Sequence, residues 1–273
     1  MQNGSVNTEP GTADARPPRD IAQLVESLGV AKTRAPLLTT LTLAVLAGAF
    51  ISMGAVFFLV AMTQSGLGLG PSRVLGGLCF SLGLVLVVVA GAELFTGNNL
   101  IAMAWASGLV DTRAVLANWC WVYLGNALGC AATVVLVHVA DVALLGQGAV
   151  GQTALAVAAA KLSLSPSQAF ARGVLCNALV CLAVWLTLSG RSVTDKLLAV
   201  LLPITAFVAM GLEHSIANLF FLPYAALLGG SSPVPVAGIV GNLVWVTAGN
   251  IVGGTLLVAG VYWLAYLRRP RGA

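Results

Sequence analysis

Residues 118–130, NWCWVYLGNALGC, and residues 242–254, NLVWVTAGNIVGG, share the pattern N-x-x-W-V-x-x-G-N-x-x-G at an offset of 124. Two fainter echoes run alongside. Glu93 is followed by Asn98, and Glu213 by Asn218, at an offset of 120. Gly48 and Gly173, each read as opening an apolar helix, lie 125 apart. Around these echoes the apolar runs are long: 36–64, 74–92, 114–137, 173–190, 197–228, which is interrupted by Glu213 and His214, and 236–267. A membrane-crossing helix needs about 20 largely apolar residues, so six spans are expected, three in each half. An odd number of crossings turns the second half over relative to the first. The expected fold is therefore an all-α membrane protein with a 3+3 inverted repeat, whose substrate path runs between the halves near the bilayer midplane.

Composition agrees. Apolar residues make up 59% of the 273 and charged residues only 8%, with a mean hydropathy of +0.97. Soluble domains carry about 25% charged residues, so this chain has too few to cover a globular surface, and a lipid bilayer is its expected surround. The net charge of +4 is concentrated near the chain ends. It reads as topology information and not as a nucleic-acid footprint. With both termini on the cytoplasmic side, ten Lys and Arg fall inside and three, Arg73, Lys161 and Arg172, fall outside, which satisfies the positive-inside rule.

Residues 1–20 read as a disordered cytoplasmic tail, 21–35 as an amphipathic cytoplasmic segment, 36–267 as the channel domain and 268–273 as a basic cytoplasmic end. Residues 1–35 hold no apolar stretch of the kind a cleavable signal needs. Ile21, Leu24, Val25 and Leu28 fall on one face of a short helix. Cysteines 79, 120, 130, 176 and 181 lie in apolar runs without metal-ligand spacing, so they are expected as small core residues, and neither metal nor cofactor is expected. His138, beside Asp141, reads as interfacial.

Two spans carry polar clusters in mid-run. Glu93-Leu94-Phe95-Thr96-Gly97-Asn98-Asn99 interrupts the second, which resumes at Leu100; Gly211 to Asn218 interrupts the fifth, which resumes at Leu219. Such runs read as broken helices, because freed backbone groups at membrane depth are tolerated only where buried in protein or lining a cavity. Glu93, Asn98, Glu213 and Asn218 are placed to brace the breaks. His214 is the midplane group suited to offering N–H donors to an anion or exchanging a proton with a weak acid, and Thr96 is placed to meet it across the pseudo-twofold axis.

Ala92–Leu100, Cys176-Asn177-Ala178-Leu179-Val180-Cys181, Ser189-Gly190-Arg191-Ser192, Glu213–Asn218 and Gly249–Gly254 together resemble the signature motifs of the formate/nitrite transporter family. The resemblance spans about residues 25–267. It implies an aquaporin-like protomer, a homopentamer with one pore per protomer, and passage of small monovalent weak-acid anions. It makes His214 the central pore histidine, Thr96 its hydroxyl partner and Asn177 a polar neighbour. Leu94 with Val180 becomes the outer apolar constriction, and Phe80, Leu84 and Phe207 the inner one. Lys161 becomes the anion-attracting vestibule lysine, with Arg172 helping to concentrate the anion. The stretch Gly97-Asn98-Asn99 leans the substrate toward formate, with nitrite, hydrosulfide, acetate and lactate as alternatives in the same family. Two other classes lack their marks. Neither break holds the Asn-Pro-Ala of an aquaporin-type neutral-solute channel, and no Gly-x-Ser-Gly of an intramembrane serine protease occurs; an enzyme is not expected.

Overall fold

A computed structural model describes residues 15–229 and 234–268, all helix, turn and loop among them, without a strand. The expectations for residues 1–14 and 269–273 lie outside the described residues. The elements are α1 (Pro18–Arg34), α2 (Leu37–Met62), α3 (Leu69–Gly91), α4 (95–106), α5 (Thr112–Val139), α6 (Ala149–Leu162), α7 (Pro166–Ser189), α8 (Val193–Ala209), α9 (Ser215–Leu228) and α10 (Val236–Tyr266). Five of them, α2, α3, α5, α7 and α10, are long and apolar enough to cross a membrane. The long run 197–228 is not one helix but two, α8 and α9, each too short to cross alone. The helix α6 falls outside every predicted span. It has 14 residues and carries Lys161 in its last turn.

The breaks are shorter than the polar clusters suggested. Helix resumes at Phe95 and at Ser215, not at Leu100 and Leu219. The polar residues Thr96, Asn98 and Asn218 therefore sit in first turns, where unpaired N–H groups need partners. Both preceding helices end alike. Gly91 (φ +85°) and Gly211 (φ +68°) turn left-handed, and the next amide bonds five residues back, Ala92 N to Val87 O at 2.9 Å and Leu212 N to Phe207 O at 3.0 Å. That is a glycine-terminated helix end, and a side chain there would strain the turn.

Small residues let the long helices close on one another. A Cβ on Gly129 of α5 would collide with the Val45 carbonyl of α2, and one on Gly253 of α10 with the Val174 carbonyl of α7. Gly48 and Gly173 lie inside α2 and α7 and open neither helix. At the Lys32 end, α1 buries Ile21, Ala22, Val25 and Gly29, packing against Leu100, Met103 and Trp185, while Leu28 of the expected apolar face is turned outward. Its start is clasped to the end of α7: Arg16 N bonds Ser189 O at 2.9 Å, and Arg16 Nη1 bonds Leu188 O at 2.8 Å and Gly190 O at 3.0 Å.

Candidate functional site

Two asparagines hold the breaks. Asn126 of α5 accepts from Phe95 N at 2.9 Å and donates to Ala44 O at 2.7 Å and Glu93 O at 2.9 Å. Asn250 of α10 accepts from Ser215 N at 2.9 Å and donates to Gly173 O at 2.9 Å and Glu213 O at 3.0 Å. Each side chain thus satisfies the first free donor of the new helix and the glutamate carbonyl in the break, and ties both to a carbonyl of a neighbouring helix, as dry surroundings require.

An ionic bracket stands beside each break. Lys32 Nζ donates to Glu93 Oε1 and, at 3.0 Å, to Asn98 Oδ1; Asn98 Nδ2 donates to Glu93 Oε2 and Asn118 Oδ1, and Asn118 Nδ2 returns to Lys32 O. Lys161 Nζ donates to Glu213 Oε1 at 3.0 Å, Asn218 Nδ2 to Glu213 Oε2 and Asn242 Oδ1 at 2.7 Å each, and Asn242 Nδ2 returns to Lys161 O at 3.1 Å. All of these bonds but the one from Lys32 to Asn98 thus occur twice, and Asn218 Oδ1 has no hydrogen-bond partner among the described residues. They align Ala44 with Gly173, as the two carbonyls bonded by Asn126 and Asn250. Gly48 is therefore not the counterpart of Gly173, and in a chain with 31 glycines a lone-glycine echo carries little register information.

The breaks meet at one contact. Thr96 Oγ1 lies 3.0 Å from His214 Nε2, with Thr96 fully buried and His214 3% exposed. His214 caps α9, its Nδ1 accepting from Ala217 N at 3.1 Å. A ring nitrogen that accepts carries no proton, so in the neutral ring the hydrogen sits on Nε2 and is donated to Thr96 Oγ1. Asn177 Nδ2 bonds Asn99 Oδ1 and Asn250 O at 2.7 Å and reaches the Thr96 carbonyl at 3.3 Å, which links α7 to both breaks.

Above this contact opens a cavity of about 440 Å³. His214 and Glu213 line it together with Phe80, Phe207, Arg73, Lys161 and Arg172. The Phe207 ring stacks on His214 with centroids 5.9 Å apart, and Phe80 meets Phe207 edge-on at 5.6 Å. The resemblance set these aromatics at the inner end while the charge count set the three cations outside, and the two expectations conflict in the structure. The aromatics share a cavity with all three cations counted as outside. The reason lies in chain order. At 1.5 Å per residue, Phe80 stands only about 10 Å along α3 from Arg73, whereas Leu94 lies beyond the far end of that helix. Leu84, one turn deeper than Phe80, is buried in the same core.

Leu94 and Val180 belong instead to the Lys32 end. Leu94 follows the Glu93 that pairs with Lys32. Val184 and Leu188, one and two turns beyond Val180 on α7, line a cleft of about 40 Å³ together with Lys32, Val25, Leu28 and Gly97. The structure therefore gathers His214, Thr96 and Asn177 at one point, with Lys161, Phe80 and Phe207 on one side and Leu94 and Val180 toward the other.

Five contributors went unassigned in the sequence: Lys32, Asn118, Asn126, Asn242 and Asn250. The four asparagines were in view, being the repeated Asn positions of the opening motif, and two Asn at matching places beside two breaks is the signal that assigns them.

Comparison with known proteins follows the same outline. The formate/nitrite transporter family profile matches residues 19–264. The formate channel FocA of Escherichia coli (strain K12) is 40% identical over 269 residues, covering 92% of this chain and 94% of that protein. Among solved structures, a pentameric formate channel with formate bound superposes with a TM-score of 0.79 at 40% identity, over 85% of this chain and 98% of that one. An FNT family ion channel superposes with a TM-score of 0.83 at 29% identity, over 90% and 98%. This multi-pass membrane protein belongs to the formate/nitrite transporter family.

Proposed function

We propose that this chain conducts formate across the bacterial inner membrane, through a path between the two helix breaks of each protomer. The observation that carries the reading is the Thr96–His214 contact, where two breaks 118 residues apart meet, buried, beneath a cavity lined by cations. Family membership supplies the transport class, and the relatives named as formate channels, one with formate bound, suggest the substrate. In this reading α8 and α9 together make a sixth crossing, the two halves run in opposite senses, and both termini face the cytoplasm. The Arg73, Lys161 and Arg172 cavity is then the outer vestibule, and 36–267 is the channel domain behind the amphipathic cytoplasmic segment 21–35. The homopentamer follows from the pentameric relative.

The roles divide by chemistry. Phe80, Leu84 and Phe207 make an apolar throat that a hydrated anion enters only by shedding water, and Leu94 with Val180 repeats that barrier beyond the centre. At the centre Nε2–H of His214 and the hydroxyl of Thr96 replace lost hydration, while Asn177 holds the Thr96 carbonyl. Proton coupling runs through the same ring: charging His214 needs a proton on Nδ1, which breaks the cap on Ala217 or turns the ring away from Thr96. The bond pattern therefore ties proton uptake to loss of the Ala217 cap or of the Thr96 contact. The experiment is purified protein in liposomes, with currents on rapid exchange to formate, nitrite, acetate, lactate or hydrosulfide, and glycerol swelling as a neutral control. Saturable anion currents led by formate are expected. A lead by nitrite replaces the substrate, and swelling in glycerol without anion current overturns the reading.

A further inference from the structure

Three cations line the vestibule, and they are not equivalent. Lys161 is held by Glu213 and lies 5.5 Å above the ring of Phe221, so its charge is already matched. Arg73 and Arg172 have no such partner: neither has a carboxylate within ion-pair distance among the described residues, and Glu213 is taken by Lys161 and Asn218. Arg172 Nη1 donates to Gly211 O at 3.2 Å. The Arg73 side chain makes no hydrogen bond to another described residue.

Both guanidinium groups close on one point. A Cβ on Gly211 would stand 3.6 Å from Nη1 and Nη2 of Arg73 and 3.9 Å from Nη1 of Arg172. The two groups are therefore no farther apart than those two distances laid end to end. Gly211 serves twice, since its left-handed φ of +68° turns the chain out of α8 and its missing side chain leaves the gap between the arginines clear. Two half-buried like charges repel, and low-dielectric walls strengthen the repulsion. An anion between them removes that cost. Guanidinium presents paired N–H groups that match two oxygens on one centre, and Arg73 has its terminal nitrogens free for that use.

We propose that Arg73 and Arg172 form the anion-docking site of this vestibule, taking small planar anions with two terminal oxygens and loading the path above His214. Lys161 is then the counter-charge that shapes the second break, not the collector. For transport the proposal rests on the reading above; for binding it stands alone.

The test is formate flux against formate concentration in liposomes carrying the full chain, for wild type, Arg73→Gln, Arg172→Gln, Arg172→Lys and the double Gln variant. Focusing of counter-ions by charged clefts raises local concentration by about tenfold or more, so the half-saturating formate concentration is expected to rise about tenfold in the double variant with maximal flux retained. Flux at low formate falls with added salt in wild type and is nearly flat in the double variant. Arg172→Lys keeps the salt dependence and loses the preference for formate over chloride as competitor. A second readout is broadening of the formate proton resonance by purified protein in detergent, present in wild type and lost in the double variant. Arg73→Gln with wild-type half-saturation, salt dependence and broadening overturns the proposal, because the Arg73 side chain bonds no described residue whose loss would mask the result. Wild type without formate flux but with broadening lost in the variant overturns the transport reading and leaves the docking site standing.

Discussion

The Lys32 mouth and the Lys161 mouth carry the same bracket and differ in what lies over it. At the Lys161 end a cavity of about 440 Å³ reaches down to His214. At the Lys32 end α1 lies across the bracket and leaves about 40 Å³. The centres differ as well. Glu93 and Glu213 are counterparts, so the residue after each, Leu94 and His214, occupies the same place in its break: one break presents an apolar side chain and the other an imidazole. Shared bonds hold the backbone open in both halves, while unshared side chains and one overlying helix make one end open and one end covered.

The strongest way to break the comparison is to attack what the halves share. Gly129→Leu and Gly253→Leu each drive a side chain into a facing backbone carbonyl. Overpacking costs up to about 3 kcal/mol even where side chains can shift, and backbone shifts less readily. Both variants are expected to lose folded protein, measured as monodisperse yield after membrane extraction. Loss in one half only means that the two crossings are not equivalent.

The brackets separate next. The Lys161–Glu213 side chains are 13% and 4% exposed, and those of Lys32–Glu93 30% and 15%. Removing one partner of a buried pair costs about 3–5 kcal/mol, and much less near solvent. Glu213→Gln is therefore expected to lower the melting temperature in detergent clearly more than Glu93→Gln. Equal effects mean that α1 shields its bracket as thoroughly as the core shields the other.

Smaller effects follow at the covered end and on the helix entering the second break. Arg16→Ala removes the clasp on Leu188 and Gly190; loss of charge-assisted bonds at a partly exposed site is worth about 1.4 kcal/mol, so amide exchange in α1 should rise about tenfold with α9 unchanged. The smallest effect is on α8, whose box of Ser192 and Asp195 has no match at Gly68, the start of α3. Bonds from the backbone amides of Ser192 and Arg191 hold the Asp195 carboxyl below its usual 3.8. A depressed native value gives stability that is present above the unfolded value and lost as pH falls through the native one. Asp195→Asn is therefore expected to lower the melting temperature slightly at pH 7, with the gap closing below about pH 4. A gap that persists at low pH assigns the effect to something other than the carboxylate.

Much of this was legible from spacing. Runs of apolar residues with Glu93, Glu213 and His214 inside them can persist in a membrane only as helix around a buried break, and the paired motif at 118 and 242 located the helices that brace both. Three things were not. Lys32 looked like an ordinary end-of-chain cation because nothing local to residues 18–34 says that α1 folds back over the first break. The helix α6 is too short to announce itself as a span, so only the resemblance singled out Lys161. The aromatics Phe80 and Phe207 were expected at the opposite end from the cations they sit beside, because the resemblance names residues without their depth, which follows only from where each helix starts.

The central claim is that anion and proton meet where the two breaks touch. His214→Asn tests it most directly, since asparagine is a good helix cap and can still hold the Ala217 amide while removing the ring that titrates. The measurement is formate uptake into liposomes at about pH 7.5 and pH 5.5, wild type against the variant, with folded protein verified by size. Acid-accelerated uptake in wild type, abolished in the variant with a residual pH-independent anion leak, is the predicted result. Unchanged acceleration by acid in a folded His214→Asn channel contradicts the account.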